Sequence, residues 1–270
     1  AMSGVDYVLH AAALKKVPSC EFFPMQATQT NVLGSRNVID SAISHGVSKV
    51  VSLSTDKAVY PVNALGITKA LMEKVVESSA RNLCDGDTIL TIVRYGNVLF
   101  SRGSVIPLFL KQIREGKDIS VTEPQMTRFL LPLKEAIRLV TFALEEGRQG
   151  DILVRKAPSC SIGDLAQAVK NIFKSDSEIK IIGMRHGEKL YETLVSKGEL
   201  LRSEDMGDYL RLSIDDRDLN YNKYLNEGDM KIVKTEDYNS QNTARMNVSE
   251  IEEMLLSQPE IISELENREN

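Results

Sequence analysis

Residues 49–69 read KVVSLSTDKAVYPVNALGITK, in which an apolar run gives way to a short polar loop and then to a helical pattern from about residue 64. Apolar runs with so little polar alternation are typical of parallel strands that are covered on both faces. Similar runs occur in VDYVLHAAA (5–13) and TILTIVRYG (88–96), and helical patterns at about 21–45 and 64–83 separate the three runs. This alternation predicts right-handed crossovers and an α/β fold with a doubly wound parallel sheet.

A dinucleotide-binding sheet of the Rossmann type opens with a strand, a glycine-rich turn and a helix whose N-terminus receives the pyrophosphate. The pattern of that turn, G-x-G-x-x-G, does not occur in these 270 residues, and the first residues already have the character of a strand. We therefore expect the glycine-rich part of the sheet, with roughly three strands, to precede residue 1.

The rhythm of the sequence changes after residue 104. The patterns beyond it predict a helix over 103–117, a strand, a loop and a helix over 118–147, a strand over 151–156, a helix over 161–173, and a strand, a polar loop and a helix over 178–196. We assign residues 1–104 to the later part of a dinucleotide-binding domain. Residues 105–270 are expected to form a smaller C-terminal α/β substrate-binding region, interleaved with the first domain, and a tail.

The composition is that of an ordinary globular protein, with 42% hydrophobic and 26% charged residues. A net charge of −5 gives no general attraction to nucleic acid, so we expect no nucleic-acid partner. No apolar run approaches the roughly 20 residues that span a bilayer, and no secretory signal is found, so we expect no membrane partner and a cytoplasmic location. The three cysteines are far apart and no histidine lies at ligand spacing, so no metal site is expected.

Polar side chains suited to catalysis follow the predicted central strand. The tetrapeptide STDK (54–57) lies at its carboxyl end, which is the edge where open α/β sheets bind ligands. On the next helix Lys69 lies one turn beyond Leu65, so both residues share one face. A lone Asp-Lys pair at a helix N-terminus is usually a solvated surface feature. Its combination with a buried strand and a lysine on the following helix favours a catalytic or binding site.

Several motifs together resemble one known family. They are HAAALKKVPSCEFFP (10–24), STDKAVYPVNALGITK (54–69), RYGNVLFSRGSVIP (94–107), MTRF (126–129) and RHGEKLYE (185–192). In this order they resemble the extended short-chain dehydrogenases/reductases, and more narrowly the UDP-N-acetylglucosamine 4,6-dehydratase (5-inverting) and polysaccharide biosynthesis protein family. Each motif alone is weak, whereas the ordered set is specific and covers nearly the whole chain.

The resemblance implies a nicotinamide cofactor, NADP with NAD as the alternative, and a UDP-sugar substrate. It implies that the cofactor is bound by Ala11, Ala12, Lys15, Leu53, Ser54, Lys69, Asn97 and Val98. It implies that the substrate is bound by Lys15, Asn97, Arg102, Arg128, Arg185 and Glu188. Arginines suit such a substrate because guanidinium groups bind phosphate oxygens in a bidentate way.

The resemblance also implies a reaction, that of a hydro-lyase that removes water across C5 and C6 after transient oxidation at C4 and inverts C5. Elimination needs a base at C5 and an acid at O6. By the resemblance Lys57 is the base and Asp56 the acid, and Thr55 and Lys69 complete the catalytic set. Retaining relatives carry glutamate in place of Lys57, so the lysine indicates inversion. The pathway implied is the synthesis of surface-polysaccharide sugars.

Leu65 departs from the family pattern, in which a tyrosine one turn before the lysine takes the O4 proton during hydride transfer. Leucine has no group that can do this. Either Thr55, Lys57 or a water held by Lys69 handles the proton, or the protein does not turn over. Two other functions therefore stay open: a related UDP-sugar 4-epimerase, and a catalytically silent sugar-nucleotide-binding protein.

The helical patterns at 21–45 and 64–83 carry apolar residues beyond a single sheet-facing stripe. An apolar face that the sheet does not cover is expected to pair across a two-fold axis. The sequence therefore predicts a homo-oligomer, either a dimer or a hexamer built from dimers.

Overall fold

A computed structural model describes residues 2–214 and 235–269 of the chain. These residues form two compact units. The first unit comprises residues 2–95, 137–156, 193–214 and 235–238, and the second comprises Gly96–Ala136, Ala157–Glu192 and 239–269. The domain limits drawn from the sequence at residue 104 stay a prediction. Within the described residues no helix combines the length and the apolar character needed to cross a bilayer.

The strands are numbered in chain order. They are β1 (Tyr7–His10), β2 (Lys49–Leu53), β3 (Ile89–Arg94), β4 (Asn97–Val98), β5 (Ile119–Val121), β6 (Thr127–Leu131), β7 (Ile152–Arg155), β8 (Ser159–Ser161), β9 (Ile179–Ile181), β10 (Thr193–Val195), β11 (Ser203–Met206), β12 (Tyr209–Leu212) and β13 (Tyr238–Asn239).

The helices are numbered in the same way. They are α1 (Val17–Phe22), α2 (Pro24–Thr28), α3 (Gly34–Ser44), α4 (Ala64–Arg81), α5 (Val105–Arg114), α6 (Leu133–Glu146), α7 (Ile162–Ile172), α8 (Lys197–Leu200), α9 (Val248–Leu256) and α10 (Pro259–Glu269). A π-helical turn (Gln29–Leu33) joins α2 to α3, and a 3₁₀ turn (Asp56–Ala58) follows β2.

The main sheet of the first unit has the strand order β1-β2-β3-β7-β12-β11. The first four strands are parallel, and β12 and β11 extend the sheet in antiparallel fashion. Val51 and Leu153 pack against Leu139 of α6. Ser54 lies an odd number of residues from Val51, so its side chain faces the other side of the sheet. There it donates a hydrogen bond to Glu73 of α4, so helices cover both faces. The predicted doubly wound α/β fold is confirmed.

Strand β1 differs from the prediction that it is covered on both faces. Tyr7 is 60% exposed and Leu9 is 53% exposed. Among the described residues β1 pairs with β2 alone and forms one border of the sheet. The apolar run therefore correctly predicted a strand of this sheet. The burial of β1, however, also depends on which elements lie beside the strand.

The helical pattern predicted over 21–45 is interrupted. α1 ends at Phe22 and α2 begins at Pro24, while Phe23 between them has φ −129° and ψ 61°. A proline disfavours helical backbone in the residue before it, and its own fixed φ suits the first position of a new helix. The π-helical turn joins α2 to α3 with helical backbone at both junctions, so the chain is helical from Pro24 to Ser44 and the break in the predicted pattern lies at Phe23.

The second unit has its own hydrophobic core. Phe109 and Ile113 of α5, Leu165 and Val169 of α7, and Leu255 of α9 belong to one buried cluster. Two small sheets accompany it, with the orders β4-β6-β8 and β5-β9. The smaller C-terminal α/β part of the fold is thus organised around helices α5, α7 and α9.

The helix predicted at the end of 178–196 is wrong. Residues 193–195 form the buried strand β10. The carbonyl oxygen of Leu194 accepts a hydrogen bond from Arg94 Nη1 at 2.8 Å, a bond made across 100 residues of sequence. A helix would use such carbonyls for its own bonds, so a contact that is distant in sequence decides this segment.

Candidate active site

The 3₁₀ turn Asp56–Ala58, together with its capping residue Thr55, is called the Asp56 turn below. Thr55 has extended backbone, and its Oγ1 accepts a bond from the backbone N of Lys57 at 3.4 Å. The same hydroxyl donates to Asp56 Oδ1 at 2.8 Å. The backbone N of Asp56 donates to the carbonyl oxygen of Tyr95, which follows β3, at 3.1 Å. The ends of β2 and β3 thus hold the turn at the carboxyl edge of the sheet.

Asp56 and Lys57 form an ion pair inside this turn. Lys57 Nζ lies 3.0 Å from Asp56 Oδ1; the Asp56 side chain is fully buried, whereas that of Lys57 is 23% exposed. Asp56 Oδ2 is also buried and has no hydrogen-bond partner among the residues that the structure describes. A buried carboxylate oxygen without a donor is costly in free energy, so it marks the turn as a place where a further polar group would bind favourably.

Lys69 is buried on α4 beneath the same edge. Its Nζ donates to the carbonyl oxygen of Leu53 at 2.8 Å. Burial lowers the pKa of the Lys69 ammonium to about 8, and the nearby Glu73 carboxylate opposes part of that change. Burial, and then the charge of Lys69, lower the pKa of His10, whose Nε2 lies 2.8 Å from Ser35 Oγ. His10 therefore joins β1 to α3 through a buried hydrogen bond.

Helix α4 packs closely on the Asp56 turn at its first residues. Asn63 Oδ1 accepts a bond from the backbone N of Gly66 at 2.9 Å at the start of the helix. A Cβ atom on Gly66 would collide with the carbonyl oxygen of Lys57 and touch Pro61. Glycine at position 66 is what allows the helix that carries Lys69 to pack directly on the turn.

Leu65 lies in a small apolar cluster and not in a polar pocket. Its side chain is buried with Cys20 and Ala27, and Leu14 and Val17 pack against the same cluster. The residue that replaces the family tyrosine is therefore part of the packing between α4 and the α1–α2 segment. An apolar side chain suits this surrounding, because an unpaired hydroxyl there would lose its hydrogen bonds with water.

A buried ion network that the sequence reasoning missed lies beside the turn. Ser54 Oγ donates to Glu73 Oε1 at 2.5 Å. Arg94 Nη2 lies 2.6 Å from Glu73 Oε2 and 3.0 Å from Glu199 Oε1. A partial signal was available: Glu73 follows Lys69 by four residues and so lies on the same buried helix face, where a carboxylate requires a cationic partner. Its pairing with Glu199 could not be inferred from spacing.

Burial alone would lower the pKa of Arg94, but the Glu73 and Glu199 carboxylates outweigh it and raise that pKa. Burial likewise acts to raise the pKa of Glu199, yet the Arg94 charge and hydrogen bonds from Arg94 and Ser196 lower it to about 2. Arg94 and Glu199 are therefore held in their charged forms.

The predicted cofactor residues of the first unit lie in two groups. Ala11, Ala12 and Lys15 form part of the exposed segment that follows β1, whereas Leu53 ends β2 and Ser54 follows it. Parallel neighbours present their carboxyl ends at one edge, so both groups belong to the edge that carries the Asp56 turn. Lys69 suits a nicotinamide ribose as a hydrogen-bond donor. Its ammonium has three hydrogens, of which the Leu53 carbonyl oxygen accepts one. Their roles in binding stay predictions.

The remaining predicted residues belong to the second unit. Arg128 Nη1 donates to the Thr127 carbonyl at 2.7 Å, and Nη2 donates to the Lys189 carbonyl at 2.9 Å. Arg185 and Glu188 are brought together, since the backbone N of Arg185 donates to Glu188 Oε2 at 3.0 Å. Exposed Arg102 and half-buried Asn97 and Val98 complete the set. The substrate-binding roles of these residues stay predictions.

The chain matches the family described as "Polysaccharide biosynthesis protein" over residues 1–214 and "Polysaccharide biosynthesis protein C-terminal" over residues 215–261. It is 55% identical over 267 residues to a protein of Rickettsia felis named "UDP-glucose 4-epimerase", covering 99% of this chain and 78% of that relative.

The solved structures that are similar to the chain include the following two. The structure titled "X-ray structure of Pen from Bacillus thuringiensis" has a TM-score of 0.84 and 35% identity, and the match covers 95% of this chain and 77% of that one. The dTDP-glucose 4,6-dehydratase DesIV from Streptomyces venezuelae, solved with NAD and TYD bound, has a TM-score of 0.64 and 22% identity over 70% of this chain and 64% of its own. The second likeness shows the fold alone.

These findings correct one expectation and establish the family. The hydro-lyase assignment is wrong, because the highly identical relative is named as an isomerase, UDP-glucose 4-epimerase. A resemblance in motifs to a dehydratase family thus goes together with 55% identity to a protein named as an epimerase. On the family match over residues 1–214 and the 55% identity over 99% of its length, the chain belongs to the polysaccharide biosynthesis protein family of the extended short-chain dehydrogenases/reductases.

Proposed function

We propose that this protein is a UDP-sugar 4-epimerase that interconverts UDP-glucose and its C4 epimer, UDP-galactose, with a nicotinamide cofactor. The observation that carries the proposal is the 55% identity, over 99% of the chain, to a protein named UDP-glucose 4-epimerase. The geometry agrees with it, because the acid–base groups of the Asp56 turn and Lys69 lie at the carboxyl edge of the sheet.

Epimerisation at C4 needs less machinery than dehydration. A hydride leaves C4 while a proton leaves O4, and both return after the 4-keto sugar has presented its other face. When bound, the nicotinamide ring supplies the hydride acceptor and donor. The residues of this chain must therefore hold the sugar and accept and return one proton at O4, and no base at C5 is required.

Thr55 and Asp56 are the pair we propose for that proton. O4 would give its proton to Thr55 Oγ1 while the Thr55 hydroxyl proton passes to Asp56 Oδ1, 2.8 Å away. The carboxylate becomes a carboxylic acid, and the reverse transfer restores both groups when C4 is reduced. Lys57 Nζ, 3.0 Å from the same oxygen, would stabilise the carboxylate between transfers. This arrangement gives the protein a route for the O4 proton that does not pass through Leu65.

The decisive experiment is to incubate the protein separately with UDP-glucose and with UDP-galactose, adding NAD or NADP, and to resolve the sugars by chromatography and mass. We expect each sugar to give the other without a change of mass. The Rickettsia felis relative, assayed in parallel, is the positive control. A product lighter by one water would refute the proposal. So would sugar binding without conversion under conditions in which the Rickettsia protein converts it.

Two Thr55 variants test the proposed proton route. Thr55→Val removes the hydroxyl and should lower kcat by ~10²–10⁴-fold, the usual contribution of a positioned acid–base group. Thr55→Ser keeps the hydroxyl and should retain most activity. Equal activity in Thr55→Val and the wild type would assign the O4 proton to another group.

Exposed apolar side chains support the proposal of a homodimer, or of a hexamer built from dimers. Ile67 and Leu71 lie one turn apart on α4 and are about half exposed, and Phe22 of α1 is 81% exposed. Exposed large apolar side chains that form a patch are typical of protein–protein contacts. Sedimentation equilibrium should give a mass of at least two chains, whereas a monomer at micromolar concentration would contradict the proposal.

A further inference from the structure

Arg94 occupies the centre of a buried network that uses all of its hydrogens. Nε and Nη2 donate to the two oxygens of Glu73 at 3.1 and 2.6 Å. Nη1 and Nη2 donate to the two oxygens of Glu199 at 3.2 and 3.0 Å, and Nη1 also donates to the Leu194 carbonyl at 2.8 Å. A guanidinium group has five N–H donors in a fixed plane, so these bonds fix its position completely.

The network reaches the Asp56 turn by two routes. Through the first, Glu73 receives the hydroxyl of Ser54, the residue directly before Thr55, at 2.5 Å. Through the second, the residue after Arg94, Tyr95, accepts the backbone N–H of Asp56 at 3.1 Å. The position of Arg94 therefore constrains both the entry to the turn and the backbone of its buried carboxylate.

On its other side the network holds residues 194–200. Glu199 is the third residue of α8 and forms a capping box with Ser196, whose side chain accepts the Glu199 N–H while Glu199 accepts the Ser196 N–H. The same segment is tied near the turn a second time, because Asp237 accepts a bond from the Lys197 backbone N at 2.6 Å and from Tyr60 Oη at 3.1 Å. Tyr60 follows the turn by two residues and has a left-handed φ of 47°.

We infer that Arg94 and Glu199 are positioning residues: they hold the Asp56 turn in its reactive geometry by clamping it between helix α4 and residues 194–200. Neither residue touches the reacting atoms in this scheme. The inference rests on the proposed function, since it concerns the proton transfer assigned to Thr55 and Asp56. Its physical basis is that displacing an acid–base group by about 1 Å costs on the order of 10²-fold in rate.

The test compares two glutamates with the same capping role. Glu250 is the third residue of α9 and forms a capping box with Asn247, as Glu199 does with Ser196 on α8, but in the second unit. Glutamine also serves in a capping box, so Glu199→Gln and Glu250→Gln keep the cap and remove one charge. Glu199→Gln leaves Arg94 paired with Glu73, which favours a folded variant.

We expect Glu199→Gln to lower kcat in the epimerase assay by ~10–10²-fold with little change in KM. Glu250→Gln should keep the wild-type kcat. Hydrogen exchange without ligands supplies a readout independent of activity: the backbone amides of residues 56–59 should exchange faster in Glu199→Gln and at the wild-type rate in Glu250→Gln.

The outcomes separate the two hypotheses. If the wild type does not interconvert the sugars, the proposed function fails, while the exchange comparison still tests the clamp. An active wild type with unchanged kcat and unchanged exchange in Glu199→Gln would overturn the inference. A lower thermal midpoint of Glu199→Gln with a normal kcat would also overturn it, because that pattern describes a purely structural ion pair.

Discussion

Two fully buried arginines lie in the same sheet of the first unit, and their side chains are both 2% exposed. Arg94 ends β3 and meets Glu73 and Glu199 beside residues that follow the strand ends. Arg211 belongs to β12; it lies 3.1 Å from Asp151, which directly precedes β7, and donates to the carbonyl of Glu146 at the end of α6. One arginine thus serves the edge that binds ligands in such sheets, and the other the opposite side.

The carboxylates around the two arginines respond differently to burial. The pKa of Glu199 falls to about 2, because Arg94 and the Ser196 groups outweigh burial. The pKa of Asp151 is raised, because burial outweighs the Arg148 backbone hydrogen bond and the Arg211 charge. The two carboxylates differ because Glu199 has a bidentate pairing with Arg94 and further hydrogen bonds from Ser196. Only a well-paired carboxylate recovers the free energy that it loses on leaving water.

This contrast separates two uses of a buried charge. Near Asp151 the charge is tolerated at a cost and ties strands and a helix together. The charge of Glu199 is strongly stabilised, and its partner Arg94 also fixes the residues through which the network reaches the Asp56 turn. We therefore expect stability to depend on both arginines and catalysis on Arg94 alone.

The largest expected effect on the free energy of unfolding comes from replacing either arginine. Arg94→Met leaves the carboxylates of Glu73 and Glu199 without their cation, and Arg211→Met does the same to the buried Asp151. Removing one partner of a buried ion pair typically costs ~3–5 kcal/mol. Urea unfolding followed by circular dichroism would measure the free energy of unfolding for both variants. At a temperature where both are folded, Arg94→Met should show a much lower kcat, and Arg211→Met should keep the wild-type value.

An equal loss of kcat per folded molecule in both arginine variants would break the comparison. It would mean that the whole sheet, and not the Arg94 network, determines the geometry of the turn.

The next effect is the pH dependence of stability, which has opposite signs for Glu199 and Asp151. Glu199 has a folded pKa lowered from 4.5 to about 2, so its contribution to stability is present above pH 4.5 and is lost as the pH falls toward 2. At 1.36 kcal/mol per pKa unit this contribution is about 3 kcal/mol. The gap in unfolding free energy between the wild type and Glu199→Gln, from urea titrations at several pH values, should close over that range.

Asp151→Asn provides the control of opposite sign. Because the folded pKa of Asp151 is raised, its contribution is present at low pH and is lost as the pH rises through the folded value. The stability of Asp151→Asn relative to the wild type should therefore increase with pH. A parallel pH dependence in the two variants would show that the carboxylates are in equivalent surroundings.

The sequence predicted the part of this fold that depends on local patterns. The apolar runs located β2 and β3, and the three- and four-residue spacing located α4, α5 and α7. The polar residues that follow β2 were correctly assigned to the carboxyl edge of the sheet, because that follows from strand order alone.

Contacts between distant residues could not be predicted in this way. Arg94 and Glu199 are separated by 105 residues, and no spacing rule joins them. The same arginine takes the Leu194 carbonyl and holds β10 as a strand where the local pattern favoured a helix. The motifs also misassigned the enzyme class, since they suggested a hydro-lyase whereas a relative 55% identical to the chain is named as an epimerase.

A smaller effect is expected at Leu65, which lies in the catalytic segment but packs like a core residue. Leu65→Tyr forces a larger ring and a hydroxyl into the cluster with Cys20 and Ala27, and such overpacking costs ~1–3 kcal/mol. Leu65→Met keeps the volume and should cost less than ~1.5 kcal/mol, with an unchanged kcat. Thermal unfolding with single-turnover cofactor reduction would measure both. A stable Leu65→Tyr with faster reduction would show that the position is open to the site.

The smallest effect on stability is expected for an arginine–carboxylate pair that is exposed to solvent. Arg36 Nε lies 2.7 Å from Asp40 Oδ2, as close as any contact of Arg94 except one, but the two side chains are 52% and 49% exposed. Exposed pairs spaced by four residues on a helix contribute only ~0.3–0.5 kcal/mol, because water and salt screen the charges. Asp40→Asn should therefore shift the urea unfolding free energy by no more than this, and by less at high salt. A loss as large as that of Glu199→Gln would mean that distance, and not burial with multiple hydrogen bonds, sets the strength of these pairs.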